Sequence, residues 1–171
     1  MKQLDSKKFE TLFTIIKPYP SSHIFHIDDG NKELVLTLHK FAMDNELVYH
    51  LSSLDKDFLE YAKKELTKEK NFKIREFNFE QPRFNRSSIL YDTAFLTLDL
   101  FKIPDLEDFL RKLYRIMKNA GDVIFFSQNE NEKRTLILTL EKTNYVAINT
   151  IDDFNSFSIV LARKMHGWQK V

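Results

Sequence analysis

The sequence predicts an α/β protein on a mostly parallel, doubly wound, seven-stranded sheet, with one antiparallel strand near the C-terminal end. Three observations carry that expectation. Short apolar runs alternate with segments of helical periodicity five times along the chain. The last two apolar runs, Tyr145 to Ile151 and Phe157 to Arg163, are separated only by a turn at Asp152 to Ser156 and so make a hairpin. The run from Tyr91 to Leu100 is apolar on both faces at Ala94, Phe95, Leu96 and Leu98, as suits a strand covered from both sides.

In chain order, the first helix carries Phe9, Leu12, Phe13 and Ile16, with Ser6 as its cap and a stop at Pro18-Tyr19-Pro20. A strand from His23 to Ile27 then stops at an acidic turn, Asp28-Asp29-Gly30, and feeds a helix over Asn31 to Met43 with Leu34, Val35, Leu38, Phe41 and Ala42 on one face. Glu46 to Ser52 is a second strand. Leu54 to Glu69 is a helix with Phe58, Leu59, Ala62 and Leu66 inward, and its lysines Lys63, Lys64 and Lys68 read as a solvated face.

Phe72 to Phe79 alternates and is a third strand. Between it and Tyr91 there is room for a helix of only about two turns, because a parallel crossover needs a dozen or so residues. After Pro104, Leu106, Phe109, Leu110, Leu113, Tyr114 and Met117 make the clearest amphipathic helix, which is expected to stop at Asn119-Ala120-Gly121. Asp122 to Ser127 is a fifth strand, and Asn131 to Lys142 is a helix carrying Leu136, Ile137 and Leu140.

A chain of 171 residues with 43% hydrophobic content is long enough for one domain with a real core, so a single domain over 1–171 is expected. Lysine and arginine number 26 against 25 acidic residues, and the signs are interspersed. The overall charge therefore does not indicate a nucleic-acid or membrane partner, although a local patch can survive inside a neutral total. Cysteine is absent, which removes disulfides, thiolate zinc sites and cysteine nucleophiles. With no apolar run near the ~20 residues of a membrane span, the expectation is a soluble cytoplasmic protein, with a homo-oligomer possible and partners unknown. Glycine numbers three where average usage gives about 12, and so few exclude a P-loop or an intact G-x-G-x-x-G.

The remaining chemistry-bearing residues read as structural. His23 and His26 point to opposite faces of a strand, and the histidines show no ligand spacing, so no metal site is expected. Asp28-Asp29, Asp55 with Asp57, and Asp152-Asp153 sit at turns and helix starts, where aspartate caps backbone N–H groups. No G-x-S-x-G elbow is present. Arg83-Phe84-Asn85-Arg86 places two cations around an aromatic in a connection expected to be exposed, a pattern that serves nucleic-acid binding only as part of a larger surface. Trp168 reads as a packing anchor.

Tyr91-Asp92-Thr93-Ala94-Phe95, followed by the segment from Phe109-Leu110-Arg111-Lys112-Leu113 to Asn119-Ala120-Gly121, is similar to a strand-four and helix pattern of the class I S-adenosylmethionine-dependent methyltransferases. Ala62 and Lys164 also fall where that family places such residues. The resemblance covers about His23 to Lys164 and implies a Rossmann-like fold with S-adenosylmethionine as a possible cofactor and no metal. In the family's first loop, an acidic residue followed by G-x-G-x-G, His26 takes the acidic position, and Asp28, Gly30 and Lys32 take the three glycines. Ser53 takes the place of the acidic residue after strand two, with Asp55 two positions on. Asn78 or Glu80 takes that of the adenine-facing residue after strand three. Thr97 completes this cofactor set, and an acceptor would lie near Thr97 to Phe101.

Side chains where glycine is needed strain a ligand loop by roughly 1 kcal/mol or more each. The expected function is therefore a methyltransferase-fold protein with an eroded cofactor loop, acting as a non-catalytic binding module. The alternative is an active small methyltransferase of unknown acceptor.

Overall fold

The computed structural model describes residues 9, 12–13, 19–66, 69–154 and 157–166. Seven strands alternate with helices: β1 (His23–Asp28), α1 (Lys32–Asp44), β2 (Val48–Ser53), α2 (Lys56–Leu66), β3 (Phe72–Glu76), β4 (Tyr91–Thr97), a single 3-10 turn (Leu100–Lys102), α3 (Leu106–Ile116), β5 (Met117–Ser127), α4 (Glu130–Lys142), β6 (Tyr145–Phe154) and β7 (Phe157–Lys164). They form one sheet in the order β3-β2-β1-β4-β5-β7-β6, in which β7 alone runs opposite to the other six strands. This is the predicted doubly wound, mostly parallel sheet. The chain reverses its direction of winding between β1 and β4, which puts the loops after those two strands together at the carboxyl edge.

Both faces of the sheet carry an apolar core. On one, Phe25, Ile27, Ala94 and Leu96 pack under Phe109 and Leu113 of α3 and Leu136 and Leu140 of α4. On the other, Ile24, Leu51, Phe95 and Ile124 pack under Leu34 and Leu38 of α1, Phe58 of α2, and Phe9, Leu12 and Phe13. Those last three are helical and buried as expected. The rest of the first helix, from Ser6 to Pro18, lies outside the described residues, as does Trp168.

Several boundaries differ from the sequence reading, each for a local reason. Helix α2 starts at Lys56 because Asp55 Oδ1 caps it by accepting from the Phe58 N–H at 2.9 Å. Strand β4 ends at Thr97, and Asp99 then caps the 3-10 turn through the Phe101 N–H. Helix α3 does not run on to Gly121. It stops at Ile116, and Asn119-Ala120-Gly121 belongs to β5, where Ala120 has φ +59° and the pairing with β4 shifts register between Tyr91 and Thr93.

Gly121 serves a close approach rather than a helix end: a Cβ there would lie 2.9 Å from the Lys118 carbonyl and 3.1 Å from that of Asp92. The crossover from β3 to β4 contains no helix at all. Residues 77–90 run irregularly, held by Phe77 and Phe84, both buried, and by the Ile89 and Leu90 N–H groups donating to the Arg115 and Ile116 carbonyls at the end of α3.

Candidate functional site

The carboxyl edge at the winding reversal is the place to look for a ligand, and its residues are set by strand parity. In β1, His26 and Asp28 share the face that carries α1 and α2; the register brings Asp28 beside Thr97 of β4 on one side and Ser53 of β2 on the other. Because a parallel sheet is buried on both faces, these polar side chains are buried too: His26, Asp28, Ser53 and Thr97 are all at 0% exposure. Each must find its hydrogen bonds inside the protein.

They find them in one another. His26 Nδ1 lies 2.7 Å from Tyr49 Oη and Nε2 lies 2.7 Å from Thr97 Oγ1, which is also 3.0 Å from Asp28 Oδ1. Desolvation pushes the His26 pKa down to about 3, so the ring is neutral and carries one proton. One assignment satisfies every group: Tyr49 O–H donates to Nδ1, Nε2–H donates to Thr97 Oγ1, and Thr97 O–H donates to an ionised Asp28. Burial raises the Asp28 pKa to about 6, opposed by hydrogen bonds from Gly30, Thr97 and Asn31. The carboxyl is thus ionised at pH 7. Burial holds the Tyr49 phenol well above its usual range, so it stays a donor.

Asp28 also closes the loop. Its carboxylate accepts from the Gly30 N–H at 2.8 Å and from the Asn31 N–H at 3.1 Å, and Asn31 in turn caps α1 through the Leu34 N–H. Gly30 sits at φ +118°, a conformation that side chains rarely adopt. A Cβ there would meet Asp55 Oδ2 at 3.3 Å, so the carboxylate of Asp55 stands against the glycine. Ser53 Oγ accepts from the Asp55 N–H at 3.1 Å. Beside the loop, Asp29 Oδ2 accepts from the Asp99 N–H and from Lys102 Nζ, while Asp29 Oδ1 is buried with no partner among the described residues.

Of the residues expected at a cofactor site, His26, Asp28, Gly30, Ser53 and Thr97 come together here. Lys32 and Asn78 do not join them. Lys32 is exposed and lies 5.9 Å from the Phe58 ring centroid, and Asn78 is exposed with its Oδ1 accepting from the Glu80 N–H in its own turn. The sequence does not single out Tyr49 or Lys102, whereas Asp29, expected to cap backbone N–H groups, accepts from the Asp99 N–H. Tyr49 carried a signal, a hydroxyl-bearing side chain in an inward strand position two residues before Leu51; Lys102 is distant in sequence and carried none.

No group of histidine and acidic side chains among the described residues could hold a metal ion, and no described helix is long and apolar enough to cross a membrane.

A family model described as a methyltransferase domain matches residues 35–125. Among curated proteins no sequence matches the chain. Solved structures share its fold at low identity. The methyltransferase domain of the citrinin polyketide synthase superimposes with a TM-score of 0.76 at 13% identity, covering 94% of this chain and 51% of that one. A SAM-dependent O-methyltransferase from Thermotoga maritima also gives 0.76 at 13%, covering 99% and 69%. The cyclase SpnF gives 0.73 at 9%, covering 95% and 81%. The chain thus spans about half the length of the synthase domain. With the match extending over more than half of its residues, this chain belongs to the methyltransferase domain family.

Proposed function

We propose that the chain is a methyltransferase-fold protein that does not carry out methyl transfer and works as a binding module. The observation that supports this reading is the Asp28 carboxylate seated on the loop's own N–H groups. In a strand-loop-helix unit those groups, with the positive end of the helix, are what a ligand's anionic or polar parts would use. Here an internal carboxylate uses them, and Asp55 stands on the other side of Gly30.

The rest of the cofactor set is committed in the same way. Ser53 Oγ accepts from a helix start, Thr97 bridges His26 and Asp28, and Asn78 turns back on Glu80. These residues do not fit adenosylmethionine held in the family's manner, and no methyl-transfer step follows from them. Fold alone does not specify activity.

One observation favours the other reading, an active methyltransferase. Asp29 Oδ1 is a buried carboxylate oxygen without a partner among the described residues, and adenosylmethionine carries an ammonium and a sulfonium that could approach it.

Thermal denaturation with millimolar adenosylmethionine or adenosylhomocysteine separates the two. Binding at 100 times Kd adds about 2.7 kcal/mol, which in a chain of this length raises Tm by roughly 5–10 °C. The module reading expects no shift. A shift that Gly30→Val removes would overturn it.

A further inference from the structure

The missing crossover helix has a consequence on the face of the sheet that carries α3 and α4. With residues 77–90 irregular, no helix covers β2 and β3 there, and two clefts flank the connection. One, of about 600 Å3, is walled by His50 of β2, Lys73 and Arg75 of β3, and Tyr91. The other, of about 750 Å3, lies between the connection and the C-terminal end of α3 and is walled by Arg83, Arg86, Arg115 and Lys164. Asn85 lines both, so the two clefts adjoin. Neither has a carboxylate in its wall.

The charge is unbalanced locally although the chain is nearly neutral as a whole. Lys73, Arg75, Arg83, Arg86, Arg115 and Lys164 make no ion pair among the described residues. Two of them are withdrawn from water. Lys164 is 7% exposed, with Nζ donating to the Met117 carbonyl at 2.8 Å and lying 4.6 Å from the Tyr114 ring centroid. Arg75 is half-buried, donating to Ser52 Oγ and to the Phe84 carbonyl.

A sheltered cation without a counter-ion is costly, and two of them walling adjoining clefts mark a place for an anion. A chain of polar side chains lies between the two clefts. Asn85 Nδ2 donates to Tyr91 Oη, whose O–H donates to His50 Nδ1, which leaves the proton of the neutral ring on Nε2 with no partner among the described residues.

We propose that this tract binds the phosphodiester backbone of single-stranded nucleic acid. The cations span the sheet from β3 to β7, about 24 Å at ~4.8 Å per strand, which exceeds one nucleotide. The clefts, of about 600 and 750 Å3, are each of the size that takes a group as large as one nucleotide. Base stacking contributes little, because Tyr91 is at 1% exposure and the half-buried Tyr114 ring in the larger cleft is already met by Lys164, so recognition rests on phosphate and is indifferent to sequence.

The test is fluorescence anisotropy of a labelled oligouridylate of about 12 nucleotides across a salt series. Six neutralised phosphates give a slope of log K against log salt near −4, at about 0.7 each for single strands. Arg83→Ala/Arg86→Ala/Arg115→Ala, three exposed changes, should reduce the slope by about 2 and weaken binding on the order of 100-fold at 0.1 M salt. A variant losing the same charge outside both clefts, Lys40→Ala/Lys64→Ala/Arg134→Ala, should bind within a few-fold of the unaltered chain. Absence of binding at 50 mM salt, equal weakening by the two triple variants, or ATP or tripolyphosphate binding as tightly as the oligonucleotide would each overturn the proposal.

Discussion

Thr97 Oγ1 stands 2.7 Å from His26 Nε2 and 3.0 Å from Asp28 Oδ1, so one hydroxyl joins a neutral ring to a buried carboxylate across two adjacent strands. Thr97→Val keeps the shape and removes the join. It would strand a buried N–H and a charged oxygen together, at a cost of about 2–4 kcal/mol, whereas Thr97→Ser should cost under about 1 kcal/mol. Urea denaturation of the two variants checks this; equal midpoints would mean that the relay contributes nothing.

The same chain gives opposed pH dependences. His26, with its folded pKa pushed down to about 3, binds its proton in the unfolded state first, so its contribution to stability is lost as pH falls from about 6.5 toward 3. His50, lowered to about 4 by burial and then by Lys73, acts in the same direction. Asp28, raised to about 6, binds its proton in the folded state first, so its contribution is gained as pH falls from about 6 to 3.8. Asp28→Asn removes that gain and leaves the histidines unopposed. Between pH 6 and 4 the variant should lose up to about 3 kcal/mol more stability than the unaltered chain, read from urea midpoints at each pH. Parallel profiles would contradict the assignment.

Gly121 is held between the Lys118 and Asp92 carbonyls, both on backbone that cannot swing aside. Gly121→Ala should cost about 1–3 kcal/mol as overpacking, and lower Tm by roughly 2–4 °C per kcal/mol. Calorimetry would show it.

Phe84 was expected between two arginines on an exposed connection, but it is fully buried, 5.1 Å from the Phe109 ring centroid, while Arg83 and Arg86 remain outside. Phe84→Ala should cost about 3–5 kcal/mol, and Arg83→Ala should stay within about 0.5 kcal/mol. A stable Phe84→Ala would show that the irregular crossover does not depend on this anchor.

The strand and helix alternation, the C-terminal hairpin and the family resemblance were legible in the residues because each rests on local periodicity and on turn chemistry a few residues long. Asp28 and Lys32 on either side of Gly30 can also be read directly, although the fold leaves Lys32 exposed and away from the site. Tertiary structure decided what Asp28 does there. Thr97 lies 69 residues from Asp28, and Tyr49 lies 23 residues from His26, so only strand register brings these groups within hydrogen-bonding distance. It also decided that the crossover after β3 would hold no helix and that cations scattered through a neutral sequence would line adjoining clefts, because side-chain neighbours across a sheet follow from pairing order, which no short stretch of sequence contains.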